Sequence, residues 1–130
     1  MGDLRNRKVL VTGGAGFIGS NLVAELVRKG CDVTVLDNFS SGYRKNLDPF
    51  PSVRLIEGDI RDVKAVKEAV WGTEVIFHLA ASVGNKRSID NPLDDAGVNV
   101  LGTLNVLEAA RKNGVKKIVV SSSAGIFGEL

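Results

Sequence analysis

The stretch Lys8-Val-Leu-Val-Thr-Gly-Gly-Ala-Gly-Phe-Ile-Gly-Ser20 places a cluster of glycines between two apolar patterns. Val9 to Val11 form a short apolar run that predicts a buried β-strand. After the glycines, the apolar residues between Phe17 and Val27 recur at helical spacing, which predicts an amphipathic helix. The stretch therefore predicts a strand, a tight turn and a helix in direct succession.

Two glycine registers fit this turn. Gly14, Gly16 and Gly19 make G-x-G-x-x-G, and Gly13, Gly16 and Gly19 make G-x-x-G-x-x-G. In either register the missing Cβ allows a sharp turn, and the bare backbone lets a pyrophosphate approach the free N–H groups of the helix. A tight βα turn without a ligand is the alternative. The four glycines within seven residues favour the dinucleotide-binding interpretation.

Composition limits the classes of protein to consider. The chain has 130 residues, 44% of them hydrophobic and 25% charged, which fits one globular domain with its own core. The net charge of +2 and the lack of a basic stripe argue against a nucleic-acid partner. Cys31 is the one cysteine, so an internal disulfide is impossible, and we expect a small packing residue and no metal site there. We expect a cytoplasmic protein without a membrane span, because no apolar signal segment or long apolar run is present.

Strands and helices alternate along the rest of the chain. This alternation predicts a three-layer α/β/α domain over residues 1–130, with a parallel sheet in the order 3-2-1-4-5. The remaining strands are predicted at Asp32–Leu36, Val53–Ile56, Val75–Phe77 and Lys117–Val120. Helices are predicted at 63–71, with Asp62 as N-cap, and at about 93–113, whereas 38–50 is predicted as loop or short helix and 82–92 as a polar loop.

Asp37 ends the second strand, 18 residues after Gly19. A carboxylate at that position can accept hydrogen bonds from an adenosine ribose, and its charge would repel a 2′-phosphate. The position therefore favours NAD over NADP, with a simple Asx turn as the alternative.

Other polar and aromatic residues are less decisive. Asp59 fits a turn former and an adenine contact equally well. A lone histidine at a strand end, such as His78, is more often a hydrogen-bonded structural residue than a catalyst. Trp71 is expected to pack at a helix end, and Asn99 could face either solvent or a crevice.

The unusual residues all follow predicted strands. The glycine turn follows the first strand, Asp37 the second, Asp59 the third, Leu79–Ala81 the fourth and Ser121–Ser123 the fifth. The carboxyl ends of parallel strands share one edge, and ligands bind in the crevice there. Convergence of five strand ends predicts one binding site more strongly than the glycine motif alone.

Five stretches together closely resemble the extended short-chain dehydrogenase/reductases: Thr12-Gly-Gly-Ala-Gly-Phe-Ile-Gly-Ser20, Leu36-Asp-Asn-Phe-Ser-Ser-Gly42, Gly58-Asp-Ile-Arg-Asp62, His78-Leu-Ala-Ala81 and Val120-Ser-Ser-Ser123. Within that group they resemble the NAD-dependent sugar epimerases and dehydratases, most of all the UDP-glucose 4-epimerases. The resemblance extends from about Lys8 to Gly128 and implies a Rossmann-type fold with NAD as the cofactor.

The resemblance also implies roles for individual residues. It places the diphosphate beside Gly13, Gly16, Phe17 and Ile18, the adenosine ribose beside Asp37, Asn38, Ser41 and Gly42, the adenine beside Asp59 and Ile60, and the middle of the cofactor beside Leu79, Ala80, Ala81 and Asn99. It implies that Ser123 is catalytic and hydrogen-bonds the reacting hydroxyl of a nucleotide sugar. Phe127-Gly128 stands where the family usually has Tyr-Gly.

The family's catalytic base is a tyrosine in a Tyr-x-x-x-Lys motif beyond the serines. The only tyrosine here is Tyr43, and Leu47 stands four residues after it instead of lysine. We therefore expect the NAD-binding portion of a nucleotide-sugar epimerase, inactive alone. We also expect self-association or strand exchange through the uncovered apolar face of the 93–113 helix and the uncovered edge at Ile118 to Val120. A dehydratase fragment, a stand-alone NAD-binding module and one half of a split enzyme are the alternatives.

Overall fold

The computed structural model describes residues 3–128, and for Asn85 and Ala124 only the backbone. The five strands are β1 (Lys8–Thr12), β2 (Asp32–Asp37), β3 (Arg54–Glu57), β4 (Val75–His78) and β5 (Lys117–Val120). They form one parallel sheet in the order β3-β2-β1-β4-β5, which confirms the predicted Rossmann-type topology.

Helices cover both faces of this sheet. They are α1 (Phe17–Arg28), α2 (Val63–Val70), α3 (Asn85–Asp90), α4 (Pro92–Ala96) and α5 (Thr103–Lys112). The π-helical segment Gly97–Gly102 joins α4 to α5, and we call residues 92–112 the long helix. Two short 3₁₀ helices span Arg44–Leu47 and Ala124–Phe127.

Alternation along the strands divides the core into two layers. Leu10, Leu36 and Ile76 face α2 and α5, whereas Val9 and Val35 belong to the layer that α1 covers. Because side chains of a strand point alternately to opposite faces, a continuous apolar run such as that in β1 is buried on both. This arrangement brings the carboxyl ends of all five strands to one rim.

The long helix and α2 begin and end close to the predicted positions. The Asp62 side chain accepts a hydrogen bond from Lys64 N at 3.0 Å, which confirms it as the N-cap of α2. Other expectations were wrong. The predicted polar loop 82–92 contains α3, and Trp71 does not pack at its helix end, since 78% of its surface is exposed.

Candidate functional site

Three glycines of the turn between β1 and α1, namely Gly13, Gly14 and Gly19, have no room for a side chain. Gly13 has a φ of +74°, and a Cβ there would lie 2.8 Å from Ala80 N. A Cβ on Gly14 would lie 2.7 Å from a methyl group of Val35, and one on Gly19 would overlap the carbonyl oxygen of Gly13. Both registers proposed from the sequence therefore contain sterically required glycines, so sterics do not choose between them.

Gly16 differs from the other glycines of the turn. A Cβ on Gly16 would lie 3.4 Å from Gly13 O, an ordinary contact, so the fold itself tolerates a side chain there. Gly16 is the N-cap of α1, and no side chain caps that helix or places an acid in its first turn. Phe17 and Ile18 are exposed beside it. This helix terminus combines free N–H groups with a positive dipole end, which fits a diphosphate.

Asp37 connects the end of β2 to the glycine turn. Its Oδ2 accepts a hydrogen bond from Ala15 N at 3.0 Å, and its Oδ1 accepts one from Phe39 N at 2.8 Å. The second contact is the Asx turn considered as the alternative from sequence. Asp37 as a residue is only 8% exposed, yet each carboxylate oxygen has a further acceptor position. The Asx turn thus orients the carboxylate and leaves it able to accept from a ribose.

The segment after β2 folds back over the same turn. Tyr43 N and Asn46 Nδ2 both donate to Ala15 O, at 3.1 and 2.8 Å. Gly42 is buried against Ala15, where a Cβ would lie 2.8 Å from the carbonyl carbon of Ala15. Ser41 is exposed next to it. Three predicted contacts of the adenosine ribose, namely Asp37, Ser41 and Gly42, therefore lie around one short backbone segment.

The turn after β3 brings Asp59 close to Asn38, 21 residues earlier in the sequence. Asn38 Nδ2 donates to Asp59 Oδ2 at 3.1 Å. Hydrogen bonds from the Arg61 side chain are the main reason why the pKa of Asp59 is lowered to about 2, so the carboxylate is ionised at neutral pH. The Ile60 side chain is buried in the core, which leaves its backbone as the part that could meet a ligand.

His78 at the end of β4 is buried between two threonines. Its Nδ1 lies 2.7 Å from Thr12 Oγ1, and its Nε2 lies 2.9 Å from Thr103 Oγ1. Because the Thr103 hydroxyl donates to Asn99 O at 2.8 Å, it must accept from His78 Nε2–H. Burial lowers the pKa of His78 below its ordinary value. This geometry confirms a structural histidine in the neutral form.

The other side of the imidazole organises the backbone after β4. Leu79 N and Ala80 N both donate to Thr12 Oγ1 at 3.1 Å, so that hydroxyl donates its own hydrogen to His78 Nδ1. The chain of hydrogen bonds therefore positions Leu79 and Ala80 beside the glycine turn, where the resemblance placed the middle of the cofactor. Ala81 follows in the next position along the rim.

Asn99 is neither solvent-facing nor unpaired. Its Oδ1 accepts from Ser82 N at 2.8 Å, and its Nδ2 donates to Ser82 O at 2.9 Å. The Asn99 amide thus satisfies both backbone groups of Ser82, as a residue of a neighbouring strand would, and it connects the long helix to the rim. The Ser82 hydroxyl is buried, and no hydrogen-bond partner for it is present among the described residues.

Ser123 lies at the rim after β5. Its Oγ accepts from Gly125 N at 3.1 Å, and its side chain is exposed. Ile126 and Phe127, which follow it, are 74% and 68% exposed. The predicted catalytic serine is therefore at the expected edge of the sheet, in a surface segment.

Sequence reasoning missed the threonines that hold His78. Thr12 ends β1, and Thr103 follows Asn99 by four residues on the long helix, a spacing that places both on one helix face. That spacing was the available signal.

Among residues 3–128, no cluster of three His, Cys, Asp or Glu side chains could hold a metal ion. No helix of this range has the length and apolar character that a membrane crossing requires.

Comparison with known proteins agrees with this geometry. The sequence model of the NAD dependent epimerase/dehydratase family matches residues 9–130. The putative UDP-glucose 4-epimerase of Methanocaldococcus jannaschii is 44% identical over 124 residues, which are 93% of this chain and 40% of that protein. A dTDP-glucose 4,6-dehydratase of Mycobacterium tuberculosis is 40% identical over 127 residues, which are 95% of this chain and 38% of the relative.

A solved structure matches as well. The UDP-glucose 4-epimerase of Thermus thermophilus, crystallised in complex with NAD, has a TM-score of 0.89 and 44% identity over 95% of this chain and 40% of its own. The chain thus spans about two-fifths of the length of these relatives. The family match over almost all of the sequence and the shared Rossmann fold lead to one conclusion: the chain belongs to the NAD-dependent epimerase/dehydratase family.

Proposed function

We propose that this chain is the NAD-binding domain of a nucleotide-sugar 4-epimerase, a protein that as a whole interconverts UDP-glucose and UDP-galactose through transient oxidation at C4. One observation carries the proposal: Asp37 holds Ala15 within a glycine turn whose helix terminus has no side-chain cap. An acceptor for a ribose and a site for a diphosphate are thereby fixed side by side. NAD, when bound, would supply the hydride acceptor for the sugar carbon.

The residues around this turn define how the cofactor would be held. The diphosphate would lie against Gly13, Gly16, Phe17 and Ile18, and the adenosine ribose against Asp37, Asn38, Ser41 and Gly42. The adenine would meet Asp59 and Ile60, and the middle of the cofactor would meet Leu79, Ala80, Ala81 and Asn99. The hydrogen bonds that connect Ala15, Thr12 and Asn99 to these segments support the assignment, because they bring the segments together without a ligand.

Ser123 is the proposed catalytic residue of this portion, acting as a hydrogen-bond partner of the reacting sugar hydroxyl. Tyr43 does not supply the family's base, since it lies after β2 and Leu47 replaces the required lysine. General-base catalysis contributes about 10²–10⁴-fold, so we expect no sugar turnover by these residues alone. The 40% identity to a dTDP-glucose 4,6-dehydratase makes a dehydratase the second candidate.

Calorimetric titration with NAD and NADP tests the proposal. We expect NAD to bind more tightly, because the Asp37 carboxylate would repel a 2′-phosphate. Asp37→Ala should reduce that preference. Asp32→Ala, at the other end of β2, is the matched control and should leave both affinities unchanged. Tighter binding of NADP by the unmutated chain, or no binding of either, would contradict the proposal.

We also propose self-association through one face of the long helix. Val100, Leu104 and Leu107 are 55%, 54% and 41% exposed, and their spacing places them on one side of the helix. Such a face is self-complementary in a two-fold dimer. Sedimentation should show a dimer at micromolar concentration and a monomer for Leu104→Lys, with Trp71→Lys as control, because Trp71 is exposed and lies outside the long helix. A monomeric parent chain across this range would refute it.

A further inference from the structure

The Asp59 carboxylate has four hydrogen-bond donors around it. Arg61 N and Arg61 Nε donate to Oδ1 at 2.8 and 3.0 Å, and Arg61 Nη2 donates to Oδ2 at 2.7 Å. Asn38 Nδ2 supplies the fourth, to Oδ2 at 3.1 Å. Because an ionised carboxylate offers about four acceptor positions, a ligand can bind this group only by replacing one of these donors.

The Arg61 side chain is itself anchored on the long helix. Its Nη1 donates to Asp94 Oδ1 at 2.7 Å, and its stem passes Gly97, where a Cβ would lie 3.5 Å from Arg61 Cδ. The fork of the guanidinium therefore connects two carboxylates that are 35 residues apart in the sequence. A bidentate pair of this kind is stronger and more directional than a single surface ion pair.

The backbone of the same turn is held from the long helix as well. Asn105 Nδ2 donates to Ile60 O at 3.0 Å. The Ile60 side chain fills a hollow over Gly102, where a Cβ would lie 2.5 Å from Ile60 Cδ1. Asp59 and Arg61 consequently sit on a rigid turn, so the orientation of the carboxylate depends on the guanidinium beside it.

The four donors differ in how readily they can be exchanged. The three from Arg61 belong to one residue that is fixed by its backbone and by Asp94. Asn38 contributes a neutral amide N–H over the longest of the four distances. Another neutral N–H donor can replace it without disturbing the pairing of the two charges. The exocyclic 6-amino group of adenine is such a donor.

We propose that Arg61 is a positioning residue for adenine recognition: it directs Asp59 so that one acceptor position, held by Asn38 in this structure, is left for the 6-amino group of the cofactor. The inference rests on the proposed binding of NAD. The proposed arrangement would select a 6-amino purine over a 6-oxo purine. A 6-oxo oxygen has no hydrogen to donate and would face the Asp59 carboxylate, which can only accept.

The test compares the affinities of NAD and nicotinamide hypoxanthine dinucleotide, in which a 6-oxo group replaces the 6-amino group and N1 carries a hydrogen; the Arg61 variants then separate the part of the preference that depends on Asp59. We expect the parent chain to prefer NAD by about tenfold, the equivalent of one charge-assisted hydrogen bond. Arg61→Ala should reduce the ratio of the two affinities towards one. Arg61→Lys keeps the charge but loses the fork, so it should also reduce the ratio. Asp94→Asn should have a smaller effect in the same direction.

Arg54→Ala is the matched control, because it removes an exposed ion pair with Glu68 on the strand that precedes the turn and should leave the ratio unchanged. Circular dichroism checks that each variant folds, and Arg61→Lys replaces Arg61→Ala if the latter does not. An equal loss of affinity for both dinucleotides in the Arg61 variants would overturn the inference, as would equal affinities in the parent chain. Failure of the parent chain to bind NAD would instead refute the proposed function.

Discussion

The rim beyond β1, β2 and β3 and the rim beyond β5 hold their polar groups very differently. Asp37 is buried with two backbone donors and Asp59 has four donors, all within the folded chain. Ser123 accepts from Gly125 N, two residues away, in an exposed segment. The first region is therefore oriented before a ligand arrives, which limits the ordering cost of binding. The region beyond β5 differs, because exposed side chains there, such as Phe127, would lose conformational freedom on being covered by another surface.

Among these regions, substitution in the glycine turn should have the largest effect. Gly19→Ala forces a Cβ into the backbone of Gly13 and Gly14, so we expect a loss of about 3 kcal/mol in the free energy of unfolding. Gly16→Ala is the control, because its Cβ meets only an ordinary contact and its φ of −77° suits alanine. Urea denaturation should show an almost unchanged stability for Gly16→Ala, whereas calorimetry should show NAD binding weakened by roughly tenfold or more, about 1.4 kcal/mol. Equal destabilisation by the two changes would contradict this separation of fold from ligand.

His78 should give the next largest effect, through pH. Burial keeps its pKa below the unfolded value of about 6.5, so unfolding takes up a proton below that pH. Its contribution is complete above about pH 6.5 and declines as the pH falls towards the folded pKa, by at most about 1.4 kcal/mol per pH unit.

His78→Gln should remove this slope from unfolding free energies measured between about pH 7.5 and about 5.5. The assignment is direct because the chain contains one histidine. The variant should also be less stable at neutral pH, since Thr12 and Thr103 lose their partner. A slope that persists in the variant would show that other groups cause it.

Ser123→Ala should have the smallest effect in this chain. The side chain is exposed and hydrogen-bonds only locally, so the free energy of unfolding should change by less than about 0.5 kcal/mol. NAD affinity should remain the same within about twofold, roughly the error of such a comparison. If Ser123→Ala weakened NAD binding as much as Asp37→Ala, the rim beyond β5 would share the role that we assign to the adenosine side.

Local features of the sequence were sufficient for much of the fold. The strand order followed from the alternation of strands and helices, and Asp62 was recognisable as an N-cap because capping depends on adjacent residues. Helix α3, within the predicted loop 82–92, was not foreseen because its polar composition gives no apolar periodicity. Trp71 was expected to pack merely because it is large and aromatic.

The positions of the glycine turn and of the carboxylates that follow β2 and β3 could be read from the amino-acid sequence, since motif spacing and strand ends are local properties. The folded chain was needed to show which donors reach those carboxylates and that two threonines fix the tautomer of His78. Thr12 and His78 are 66 residues apart in the sequence, and side-chain hydrogen bonds depend on small differences in distance that no periodicity encodes.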